Sequence, residues 1–160
     1  MRTKVYVARQ LITSPSEPIP DWRTRSLAVI GEKGFAQVML RASQGDPFET
    51  STEASALEDF RDLVLSAGSA FDAERWMSVS DDRGDIGVVL PQLLPEDPSI
   101  GILAYLAVMP ERRGSGLGGK LHRYGLMRLS DLGATEYRGS TDAGNAPMRS
   151  IFAANGCTER

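Results

Sequence analysis

Leu106-Ala107-Val108-Met109-Pro110-Glu111-Arg112-Arg113-Gly114-Ser115-Gly116-Leu117-Gly118-Gly119-Lys120-Leu121 is the stretch on which the reading of this chain turns. The apolar run up to Met109 reads as the end of a buried strand, and Pro110 stops it. Four glycines then follow Arg113 within six residues, ahead of a helical pattern. Strand, glycine-rich turn and helix in that order make an anion seat. Glycine lets successive backbone N–H groups face one point, and a helix start adds unpaired donors and the positive end of its dipole. A phosphate is the natural occupant.

Working outward, Arg112, Arg113, Lys120, Arg123 and Arg128 gather beside this turn, opposed by Glu111 and Asp131, in a chain whose formal net charge is −3. The overall balance speaks against a nucleic-acid binder that works through a basic surface, whereas the local excess suits a polyphosphate. A length of 160 residues with 41% hydrophobic content predicts one compact domain, 1–160, with a core of its own. No apolar run approaches the roughly 20 residues that span a bilayer, and the opening is too short and mixed for a signal peptide. The expectation is a cytoplasmic protein with no membrane partner. Cys157 is the only cysteine and His122 the only histidine, so neither an internal disulfide nor the usual zinc cluster is expected, and no metal is assigned.

The rest of the chain supplies the scaffold. Residues 3–12 read as an opening strand with Val5, Val7 and Leu11 on one face, followed by a proline-rich loop over 14–20. Residues 21–43 read as helix in two pieces, broken near Gly31 and Gly34. A second helix is expected behind a capping box from Thr50 to Glu53, with Leu57, Phe60, Val64 and Ala67 as its stripe and Gly68 as its stop. Residues 75–80 and 85–90 read as an antiparallel pair, 92–98 as a loop, and 100–108 as the strand that feeds the glycine turn. A helix over 116–132 capped by Gly133, a strand over 135–140 and a helix over 146–154 ending at Asn155-Gly156 complete the pattern.

Gly114, Gly116 and Gly119 also satisfy G-x-G-x-x-G, the mark of dinucleotide folds. Position argues against that, because about a hundred residues precede the turn and only about forty follow it. A Walker loop and a kinase loop fail too, for want of Gly-Lys-Ser/Thr, His-Arg-Asp or Asp-Phe-Gly.

Val108-x-Pro110-x-x-Arg113-x-x-Gly116-x-Gly118-x-x-Leu121 resembles the signature loop of the GNAT superfamily of acyl-CoA-dependent N-acyltransferases. Asn145, Met148, Ile151, Phe152 and Gly156 resemble the segment that closes the acyl-CoA site in that family. The resemblance is specific over residues 100–157 and topological before that. It implies an α+β, three-layer fold: a mixed, mostly antiparallel central sheet with flanking helices, residues 1–99 forming an acceptor-side half and 100–160 the acyl-CoA half. The family pattern expects one more strand after Gly156, and only Cys157-Thr158-Glu159-Arg160 remain. The final strand is therefore missing or supplied otherwise, a homodimer being one source.

For chemistry, the resemblance implies transfer of an acetyl group from acetyl-CoA, as co-substrate, to a primary amine. An inert acyl-CoA-binding relative is the alternative. Backbone N–H groups of Arg113, Gly114, Ser115, Gly116, Gly118 and Gly119 would take the pyrophosphate. Leu106 and Val108 would offer backbone groups to the pantetheine arm and an oxyanion donor. Asn145 would face that arm from the other side with Phe152, although its position also suits a helix cap. Many relatives carry a tyrosine where this chain has Phe152, so the usual donor of a proton to the departing thiolate is missing. Tyr105, Ser140, Thr141 or a water are the candidate replacements, with Asp85 and Glu136 as relay bases. His122 is expected outside the cleft. The acceptor pocket is expected around Trp22, Phe35, Phe48, Phe71 and Trp76.

Overall fold

The computed structural model describes residues 3–11 and 21–160. Helices lie on both faces of a seven-stranded sheet: β1 (Lys4–Gln10), β2 (Arg23–Ser26), β3 (Met77–Asp81), β4 (Gly84–Leu94), β5 (Asp97–Val108), β6 (Glu136–Asp142) and β7 (Thr158–Glu159), in the spatial order β2-β3-β4-β5-β6-β1-β7. Every pairing is antiparallel except β5 with β6. On one face lie α1 (Leu27–Ile30), α2 (Glu32–Ser43) and α3 (Ala56–Ala67). On the other lie α4 (Leu117–Asp131) and α5 (Ala146–Ala154). The expected three-layer α+β fold is the observed one.

Each face has its own core. Under α1–α3, Phe35, Phe60, Trp76, Val88, Leu90 and Met109 pack together, with Phe60 and Phe71 both edge-on to the Trp76 indole. Under α4 and α5, Leu121, Leu126 and Leu129 meet Val7, Val79, Ile86 and Phe152. Burying side chains of this size stabilises by about 1.5–3 kcal/mol each.

Several sequence expectations shift. Residues 23–26 form the edge strand β2, not helix. Their side chains are exposed or half-buried, so no alternation of apolar residues announces a strand. Gly34 lies inside α2, and the break falls at Gly31 alone. The cap of α3 is Ser55, five residues beyond Thr50, and the 92–98 loop is a hairpin whose strands run to Leu94 and from Asp97. The loop expected over 14–20 and Ile12 lie outside the described residues.

The strand whose absence after Gly156 was expected is present but short, as β7, and the opening strand lies between it and β6. β1 runs antiparallel to β6 along its whole length, from Lys4 opposite Asp142 to Gln10 opposite Glu136, and β7 then pairs with β1 through Val7 and Ala8. The opening strand of the chain thus fills the gap in its own sheet. β7 lies on the outer edge of β1, and the Arg160 N–H donates to Tyr6 C=O beside Val7 and Ala8 at 2.9 Å. No helix among the described residues is long and apolar enough to cross a membrane.

Candidate active site

β5 and β6 pair only at Ile100 with Glu136 and Gly101 with Tyr137; beyond that point they part. A bulge helps to part them, because Leu90 alone on β4 spans Ala104 and Tyr105 on β5. The wedge between the strands opens into a cavity of about 640 Å³, lined along β5 by residues 102–106, along β6 by residues 137–142, and closed by His122, Asn145, Met148 and Phe152. Backbone direction on β5 follows from one bond. The Met109 N–H donates to Ile86 C=O on β4 at 2.8 Å, so by alternation Leu106 and Val108 turn their N–H and C=O groups away from β4, toward the wedge. The Val108 carbonyl accepts from Arg113 Nε at 3.2 Å on that side.

The glycine turn stands at the mouth of the wedge. Gly114 and Gly116 have φ of 84° and 80°, the left-handed region that side chains disfavour. Among the described residues, the N–H groups of Gly114, Ser115, Gly116, Leu117, Gly118 and Gly119 have no acceptor. Gly114, Ser115 and Gly116 are exposed. The Arg113 N–H differs from the expectation: it leans on Pro110 C=O at 3.4 Å.

The surrounding cations are largely committed to the protein. Arg112 binds both carboxylate oxygens of Asp81 at 2.9 and 2.7 Å and holds that carboxyl down to about pH 2. Arg113 spans from Val108 C=O to Ala42 C=O at 2.8 Å, passing over Gly45. Arg123 reaches Asn155, and Arg128 pairs with Asp131. Lys120 is exposed at the start of α4.

The other predicted residues divide. Asn145 lines the cavity as the cap of α5, its Oδ1 accepting from Met148 N–H at 3.2 Å while its Nδ2 donates to Thr141 Oγ1 at 3.1 Å. Ser140, Thr141 and Phe152 line the same cavity. Tyr105 packs toward α2 and α3. Its hydroxyl is buried with no partner among the described residues, and burial, with Glu49 and Asp46 nearby, pushes its pKa up. Asp85 is bound to Arg41 at 2.6 Å and Glu136 to Arg138, and neither lines the cavity. Of the five aromatic residues expected around the acceptor, Phe48 alone lines this cavity; Phe35 and Trp76 are fully buried core.

His122 corrects its expectation. It faces inward from α4, fully buried, and lines the wedge with Nε2 3.2 Å from the Tyr137 hydroxyl and Nδ1 2.8 Å from Asn155 Nδ2. Helical spacing from Leu121 and Tyr124 puts it beside the apolar stripe, but the Tyr137 partner lies on another element and leaves no local sign. Glu49 was also missed. It lines the cavity on the α2 side, and burial, with Asp46 and Asp59 nearby, raises its carboxyl above the ordinary range. Among the described residues no cluster of His, Cys, Asp or Glu has the makings of a metal site.

A parted β5–β6 pair, a glycine turn with unpartnered N–H groups and a helix behind it, on a mixed seven-stranded sheet, are the features of the GNAT fold, and the chain belongs to that superfamily. Among particular proteins, the chain is 31% identical over 120 residues to the mycothiol acetyltransferase of Pseudarthrobacter chlorophenolicus, a match covering 72% of this chain and 34% of that protein. It therefore spans about a third of that curated relative. No sequence-family profile matches the chain. In fold it is similar to a GCN5-related N-acetyltransferase from Sphaerobacter thermophilus, with a TM-score of 0.71 at 19% identity over 99% of this chain and 49% of that one. It is also similar to a GNAT-family acetyltransferase from Colwellia psychrerythraea, with a TM-score of 0.67 at 14% identity over 99% and 54%.

Proposed function

We propose that this domain transfers an acetyl group from acetyl-CoA to a primary amine. The observation that carries the reading is the wedge with backbone groups turned into it: those of Leu106 and the Val108 N–H along β5, and the unpartnered N–H groups of the turn at its mouth. The turn binds the pyrophosphate through the N–H groups of Gly114, Ser115, Gly116, Gly118 and Gly119, in the positive field at the start of α4. Arg113 contributes by fixing the turn against β5 and α2 with its side chain. Leu106 and Val108 pair with the pantetheine arm as an added strand would, and a backbone N–H there stabilises the developing oxyanion.

The amine approaches from the α2 side, past Asp46 and Glu49. Glu49, exposed at the rim of the cavity and with its carboxyl raised, is placed to take a proton from an incoming ammonium group. The acidic lining suits a cationic acceptor.

The test has two stages. At a hundredfold excess over its dissociation constant, acetyl-CoA is expected to stabilise the fold by about 2.7 kcal/mol, read as a thermal shift. Thiol release is then measured across polyamines, aminoglycosides and peptide amino termini. No shift would sink the reading. Binding without thiol release would favour the inert, acyl-CoA-sensing alternative, for which Phe152 in place of tyrosine is the observation in favour.

A further inference from the structure

Phe152 brings no hydroxyl to the cavity wall, yet a hydroxyl stands beside it. Tyr137 and Gly139 are two apart on β6 and project from the same face. The Tyr137 ring starts at the last residue paired with β5 and lies along the strand, so that its hydroxyl sits over Gly139, where β5 has already departed. A Cβ at residue 139 would collide with that hydroxyl and come within 3.3 Å of Phe152 Cε1. Hydroxyl and phenyl edge therefore share one place in the cavity wall, and only glycine leaves room for both.

The hydrogen bonds behind Tyr137 fix which way its own proton points. Asn155 gives one Nδ2 hydrogen to Gly119 C=O at 3.0 Å, and its Oδ1 accepts from Arg123, so the amide has a single sensible orientation. Its other Nδ2 hydrogen goes to His122 Nδ1 at 2.8 Å, which makes Nδ1 an acceptor. A neutral ring then carries its hydrogen on Nε2 and donates it to the Tyr137 oxygen at 3.2 Å. The Tyr137 O–H is left free to donate into the cavity. Burial keeps both groups in these forms: it pushes His122 down to about 4, helped by Arg9 on β1 and Arg123 on α4, and pushes the Tyr137 hydroxyl up, helped by Cys157 ahead of β7. From α5 the pair meets only the uncharged Phe152, with Asn155 just past the helix end.

We infer that Tyr137 is the proton donor to the departing sulfur, with His122 and Asn155 as its positioning residues. The inference rests on the acyl-transfer reading above. Transfer forms a C–N bond and breaks a C–S bond; the sulfur gains the Tyr137 O–H proton, and the amine nitrogen sheds one. The phenolate oxygen left on Tyr137 keeps the His122 Nε2–H bond, and the proton shed by the amine returns to it through solvent in the open cavity. Where the acceptor arrives as an ammonium group, its extra proton passes to Glu49 and on to solvent, so each turnover releases one proton and the protein ends as it began.

The single histidine of the chain makes one ¹⁵N-histidine NMR spectrum sufficient for the first test. The expected result is a neutral Nε2–H tautomer that persists well below pH 6.5; an Nδ1–H tautomer, or a ring titrating near the ordinary value of 6.5, overturns the inference without any assay of turnover. The second test uses Tyr137→Phe, expected to lower kcat by about 10²-fold while leaving the dissociation constant for acetyl-CoA within about twofold. Phe152→Tyr added to Tyr137→Phe places a hydroxyl at the neighbouring point of the wall and is expected to recover at least about tenfold of the loss. A structural role for Tyr137 would not be rescued from position 152. Thiol release retained by Tyr137→Phe, or loss with no rescue, sinks the assignment of Tyr137 alone. Absence of thiol release by the unaltered chain with every amine sinks the acyl-transfer reading and this inference with it.

Discussion

His122 is the residue whose environment says most about the chain. It is fully buried, neutral, and bonded at both ring nitrogens, with its pKa held at about 4 against 6.5 when exposed. The depressed value makes the unfolded chain bind the extra proton between those limits, so the His122 contribution to stability is complete above about pH 6.5. It is lost as pH falls toward 4. The amount at stake is on the order of 3 kcal/mol. A His122→Gln variant has no such titration. Its side-chain amide can still reach Tyr137, so the gap in melting temperature between it and the parent is expected to change in its favour as pH is lowered across that window. A gap constant from neutral pH to pH 4 would mean that the ring is not held neutral by burial.

At the scale of elements, the legible parts were those written in local punctuation. Pro110 and the glycines after it, Gly133, and Asn145-Ala146-Pro147 mark the ends of β5, α4 and α5, and the observed α5, Ala146–Ala154, has the expected bounds. What escaped is what depends on distant partners. β2 has no apolar face of its own and is a strand because Met77 to Ser80 lie beside it. β1 was expected as a strand, yet nothing in residues 4–10 announces that its neighbours are β6 and β7. That placement carries a prediction. Removing residues 1–11 would strip Val7 from the core under α5 and expose the β6 edge over its full length. The shortened chain is expected to melt several degrees lower and to associate more strongly than the parent in light scattering. A shortened chain that melts like the parent and stays equally dispersed would show that β1 is dispensable to the sheet.

Over the whole molecule, the turn at the wedge is tied to both sides of the sheet. Arg112 anchors it to the β3–β4 hairpin through Asp81 and Gly84 C=O, while Arg113 links Val108 on β5 to the end of α2 through Ala42. Arg41 on α2 completes the circuit with Asp85 and, more distantly, Glu111. The sequence showed Arg112 and Arg113 in a positive cluster suited to phosphate, and that was legible; their carbonyl and carboxylate partners, up to 71 residues away, and the part played by Arg41, were not. The consequence is that the turn with its unpartnered N–H groups is fixed in place before anything binds, which lowers the ordering cost that a flexible loop would carry. Arg113→Ala removes both carbonyl contacts without touching a single N–H of the turn beyond its own. Charge-assisted bonds of this kind contribute about 1.5–3 kcal/mol each to the fold. The variant is expected to bind acetyl-CoA about tenfold more weakly by calorimetry, a change of about 1.4 kcal/mol, with a less favourable binding entropy as the loosened turn is ordered on binding. An unchanged dissociation constant beside a lowered melting temperature would confine Arg113 to holding α2 against β5, and would remove preorganisation of the turn from the account of binding.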